Sequence, residues 1–70
     1  MSNKRYYSIE EAINNVSRRL NLGLKDAWEM NEEELEQAEI EIRKYVEFVE
    51  HPTYIQFVPR VIKTGELILA

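Results

Sequence analysis

Ile9, Ala12, Ile13, Val16 and Leu20 recur at offsets of 0, 3, 4, 7 and 11, the spacing that gathers apolar side chains on one helical face. Ser8-Ile9-Glu10-Glu11 supplies the start signal. The Ser8 hydroxyl is placed to accept from the Glu11 N–H, and the Glu11 carboxylate to reach back to Ser8. Glu10 and Glu11 favour the positive end of the helix dipole. Tyr7 precedes the cap and is set to staple onto Ala12. The helix is expected to end near residues 21–23, where Gly23 accepts a left-handed conformation readily. Residues 24–30 read as one or two helical turns, with Trp28 as a lid over the core. Asn31 then caps a second helix, with Glu34 completing an Asn variant of the capping box. Leu35, Ala38, Ile42, Tyr45, Val46 and Val49 form its stripe, Glu39 and Arg43 an i,i+4 ion pair, and Pro52 its stop.

Beyond Pro52 the apolar period shortens to about two. Residues 53–58 are β-branched and aromatic and read as a strand, with Pro59 demoting its far end to an edge or bulge. Val61-Ile62, a turn through Gly65, and Leu67-Ile68-Leu69-Ala70 read as a hairpin. Residues 4–7 are the candidate third strand, since a hairpin alone is marginal. The expectation is one α+β domain over residues 1–70. Two main helices pack on a small antiparallel sheet with a C-terminal β-hairpin, in the order β-α-α-β-β.

Seventy residues with no cysteine exclude disulfide staples, thiolate metal sites and thiol catalysis. At this size only roughly 60% of the unfolded surface is buried, so the core is thin. No apolar run reaches membrane-span length, and the basic N-terminus lacks the apolar stretch of a secretory signal. A cytoplasmic protein with no membrane partner is expected. The net charge of −4 conceals an asymmetry. Residues 1–25 hold five cations against two carboxylates, whereas residues 26–51 hold two against ten. Broad binding to a phosphate backbone needs clustered cations and is disfavoured.

The residues offer little to catalysis. Gly23 and Gly65 are isolated, so no phosphate loop is present. His51 is the sole imidazole, and a triad would have to recruit it with Ser8, Ser17, Thr53 or Thr64. On a helix running to residue 51, Glu47 and His51 share a face beside Glu50; a solvated helix end explains them better than a metal. No enzyme activity and no cofactor are expected.

Two apolar features exceed what the monomer needs. The four-residue tail is apolar throughout, where alternation buries only half. It is either a strand covered on both faces or, through Leu67 and Leu69, an interface between copies. Ile40 stands opposite the second helix's stripe, ringed by Glu33, Glu36 and other charges, as an anchor in a protein contact would be. Trp28 and Met30 pose the same choice. The glutamate row also has a second use, since spaced carboxylates can imitate phosphates in another protein's basic groove.

Helix 1 presents Asn14, Asn15, Arg18 and Arg19, residue types that read base edges. Tyr6-Tyr7-Ser8-Ile9-Glu10-Glu11-Ala12 resembles the opening of excisionase and MerR-type winged-helix domains. That resemblance implies a DNA-binding protein with residues 63–66 as its wing and contacts from Lys4, Arg5, Asn14, Arg18 and Arg19. The basic second recognition helix of that pattern is missing. The favoured reading is a small acidic protein-interaction module without enzyme activity. It is an accessory or inhibitory protein of mobile-element type that binds a protein partner through Trp28, Met30, Glu33, Glu36 and Ile40. It self-associates into a homo-oligomer through Leu67 and Leu69.

Overall fold

A computed structural model describes residues 5–55 and 57–69. Helix α1 spans Ile9–Leu20. The Ser8 hydroxyl accepts from the Glu11 N–H at 3.2 Å, and Ala12, Ile13 and Val16 are buried as the stripe requires. The helix terminates at Asn21, whose φ of 56° is left-handed, and its N–H turns back to the Ser17 carbonyl. A single 3-10 turn, Ala27–Glu29, follows. Helix α2 spans Glu32–Ile42 and opens on the full reciprocal box between Asn31 and Glu34. The i,i+4 pair Arg43–Glu39 is present at 2.9 Å.

The expected second helix is too long. It stops at Ile42, and Val46–Val49 is strand β1, paired antiparallel with β2, Val58–Val61. Tyr45, Val46, Phe48 and Val49 satisfy both a helical stripe and an alternating strand. Their β-branched and aromatic side chains lose rotamer freedom in a helix and fit a pleated surface. The partner strand settles the choice, matching Val46 to Val61 and Phe48 to Pro59. Both strands therefore follow both helices, and the expected leading strand reduces to one parallel bridge between Arg5 and Tyr54. Lys4 lies outside the described residues. Among the described residues most of the strand expected at 53–58 is also absent, and Gln56 lies outside them. Pro52 initiates a turn in which the Tyr54 N–H donates to the His51 carbonyl at 3.1 Å, and of the described residues of that run only Val58 joins the sheet.

The tail folds back as expected over residues 67–69, although by a bridge and not a full strand, and Ala70 lies outside the described residues. Gly65, at φ 74°, makes the reversal, and Arg60 pairs with Leu67. The Val61 N–H donates to the Glu66 carbonyl at 2.8 Å, and the Ile68 N–H to the Pro59 carbonyl at 2.9 Å. On the other side of β2, the Ile62 N–H donates to the Tyr45 carbonyl at 3.0 Å. Alternation then aims the N–H position of residue 59 at the tail, so Pro59 leaves the β1 ladder intact.

Two apolar clusters meet beneath the ribbon. One unites Ile13 and Val16 of α1 with Ala27, Ala38, Ile42, Val46, Val61 and Ile68. The other unites Tyr7, Ala12, Tyr54 and Val58, and Ile9 and Phe48 touch both. The shortest Cα extent is 16 Å, room for one helical layer against the ribbon. The ribbon's other face is covered at one end, where Val58 is buried with Tyr7 and Tyr54 and Val49 packs beside them, and carries the pair Glu47 and Arg60 at the other. The chain is thus α+β: two helices and a two-stranded antiparallel sheet.

Candidate functional site

The 3-10 turn decides where the inter-helix side chains go. Asp26 caps it, accepting from the Trp28 N–H at 2.9 Å. The Asn14 side chain holds it from α1, accepting from the Ala27 N–H at 2.8 Å and donating to Asp26 at 3.1 Å. Ala27 is thereby driven into the core, and Trp28 points outward, 63% exposed. Trp28 is not a lid. A three-residue turn buries one side chain, and the smallest one takes that place.

Between the connection at residues 22–30 and α2 runs an open groove of about 840 Å³. Its floor is Leu22, Leu24, Met30, Ala38 and Tyr45. The first three pack against the core from its margin, so the floor is pre-formed. The rim carries Glu33, Glu34, Glu36 and Glu41 against one cation, Lys25. Lys25 pairs with Glu34 at 3.2 Å, and Lys44 with Glu41 at 3.2 Å. Among the described residues Glu33 and Glu36 pair with no cation. The Asn31 N–H, then Lys25, hold the Glu34 carboxyl below the usual carboxylate range. The groove thus brings together three residues singled out in the sequence, Met30, Glu33 and Glu36. Ile40 lies one turn beyond Glu36 on the outer face, 57% exposed and outside the groove. Leu22 and Leu24 were not singled out as site residues by the sequence, and Tyr45 was read as part of the buried helical stripe, whereas it is exposed. The only signal of the two leucines was apolar residues inside a connection, which periodicity does not register.

The tail supplies a second apolar surface. Ile68 is 5% exposed, whereas Leu67 and Leu69 are 36% and 41% exposed. Leu67 is opposite Arg60, which forms an ion pair with Glu47 at 2.5 Å. By their pairing these three share one face of the ribbon. Tyr45 and Ile62 flank its end and are also exposed.

The candidate DNA-contact residues do not converge on a free face. Asn14 is occupied by the 3-10 turn. Arg18 donates to Asn15 at 2.6 Å, and Asn15 donates to the Tyr7 hydroxyl at 3.0 Å. Arg19 pairs with Glu66, and the Arg5 guanidinium stands 6.0 Å from the Tyr54 ring centre. The Glu47–His51 pairing loses its basis because that segment is strand and loop. His51 Nδ1 instead accepts from the Thr53 N–H at 3.1 Å. Of the candidate nucleophiles, Ser8 is a cap, and the Ser17 hydroxyl accepts from the Leu24 N–H at 3.0 Å. Among the described residues no group of three or more His, Asp or Glu side chains is arranged to hold a metal. No described helix is long and apolar enough to cross a membrane.

No family model matches the chain, and no curated protein or solved structure shows significant similarity to it.

Proposed function

We propose that this chain is a non-catalytic protein-association module, accessory or inhibitory in role. It self-associates through the face that carries Leu67 and Leu69 and offers its α2 side to a protein partner. The observation that carries the reading is the alternation of the tail. Ile68 enters the core while its two leucine neighbours face water, on an extended tail bridged to β2 along one edge and without a backbone partner along the other among the described residues. An unpaired apolar edge is a template for another chain. A small domain without staples gains stability when such an edge is covered. Around the leucines, the Arg60–Glu47 pair supplies the polar surround typical of an interface rim.

Light scattering across a concentration series tests this. The wild type is expected at twice the monomer mass. The double variant Leu67→Glu, Leu69→Glu, shown folded by circular dichroism, is expected at the monomer mass. A wild type that stays monomeric at every concentration removes the self-association. A folded double variant that remains dimeric moves the interface elsewhere.

A further inference from the structure

The groove beside α2 differs from the tail surface in both shape and charge, and it selects a different occupant. We infer that it is a docking groove for a basic, amphipathic helical segment of another protein. The inference rests on the reading of this chain as a protein-binding module, but not on its self-association.

The floor sets the apolar half of the requirement. Met30 and the two leucines are held half-buried against the core, so an incoming apolar side chain meets a packed surface and needs no rearrangement. A methionine there adapts to differently shaped partners. At about 840 Å³ the groove takes a few side chains, and it lies within the range of ligand clefts. The rim sets the other half. Of the four rim carboxylates, Glu34 and Glu41 are engaged by Lys25 and Lys44, and Glu33 and Glu36 pair with no cation among the described residues. Glu33 and Glu36 sit three residues apart, neighbours on one helical face, and both are exposed. Two cations one turn apart on an incoming helix, flanking an apolar stripe, match this pattern. A nucleic acid would bring phosphates against carboxylates. A second copy, itself acidic at −4, is the poorer electrostatic match.

The test uses three fluorescent synthetic helical peptides titrated into the full chain: an amphipathic leucine–lysine sequence, its leucine–glutamate counterpart, and a serine–lysine counterpart. The leucine–lysine peptide is expected to bind tightest and to weaken as salt rises. The variant Glu33→Lys, Glu36→Lys should weaken it about tenfold, because two favourable rim contacts become repulsive. Amide shifts on binding should map to Leu24, Met30 and Tyr45. Equal binding of the leucine–glutamate peptide, or no effect of the charge reversal, overturns the proposed partner charge. Equal binding of the serine–lysine peptide, or shifts mapping elsewhere, overturns the apolar floor as the site. Repeating the titration on the Leu67→Glu, Leu69→Glu variant separates the two proposals. Binding there is expected to be unchanged, even if the wild type proves monomeric.

Discussion

Tyr7 joins three segments that are distant in sequence. Its hydroxyl donates to the Ile68 carbonyl at 2.8 Å and accepts from Asn15, which in turn accepts from Arg18. Its ring meets Tyr54 edge-on at 5.4 Å. Tyr7→Phe preserves the ring packing but leaves the buried carbonyl without its donor, so it should cost about 1–3 kcal/mol in urea unfolding. Burial, only partly offset by the Asn15 hydrogen bond, raises the Tyr7 hydroxyl above the ordinary 10.0. A raised acid is favoured in its neutral form by folding. Its contribution is therefore complete below pH 10.0 and is lost as pH rises through the folded value. The urea midpoint of the wild type should fall more steeply with alkali than that of Tyr7→Phe. Periodicity identified the residue as a helix staple; its long-range hydrogen bond follows from the tail's return and was not legible beforehand.

At the scale of elements, the two caps were legible because their partners lie three residues apart. Asn31→Ala should cost about 0.5–2 kcal/mol, because the Glu34 N–H loses its side-chain acceptor, whereas the backbone N–H of Asn31, which most lowers the Glu34 carboxyl, stays in place. A lowered carboxyl contributes above its unfolded pKa and loses that contribution as pH falls through the folded value. The acid limb of wild-type stability should therefore be steeper than that of Glu34→Gln, which keeps an acceptor for the Asn31 N–H but does not titrate, as read from urea midpoints between about pH 5 and pH 3. Gly65 tests the tail. A Cβ there would meet no atom within 4 Å, so Gly65→Ala adds only left-handed backbone strain, about 1–2 kcal/mol. Faster hydrogen exchange at the Ile68 amide is the expected readout. The end of α2 is the element that sequence could not resolve. Val46, Phe48 and Val49 fit two periods, and the deciding partner, Val58–Val61, begins nine residues after β1 ends.

For the whole molecule, the thin core makes each buried residue costly to lose. Ile42, with no exposed surface, touches the cluster shared by both helices and both strands. Ile42→Ala should cost about 2–5 kcal/mol, enough to leave the variant largely unfolded at physiological temperature given the marginal stability of small domains. The same scale bears on nucleic acid. On α1, Arg19 is paired with Glu66, and Arg18 bonds the neutral Asn15 amide and keeps its charge. One uncompensated cation there is not the cluster that phosphate binding needs, so a mobility-shift titration with duplex DNA should yield no complex at physiological salt. A retained complex with a steep salt slope would revive the winged-helix reading.

Local signals alone determined the two helix starts, the end of α1, the Gly65 reversal, the α+β class and the acidic face of α2. Each depends on residues within a turn of one another, where backbone hydrogen bonding and side-chain spacing act without the rest of the chain. Tertiary structure decided the strand at Val46–Val49, the outward turn of Trp28, the burial of Ile68 between two exposed leucines, and the assembly of Met30, Glu33 and Glu36 around one groove. Those outcomes arise when an ambiguous segment meets a distant partner. The free energy of that meeting, in paired backbone groups and covered apolar surface, outweighs what either local pattern prefers.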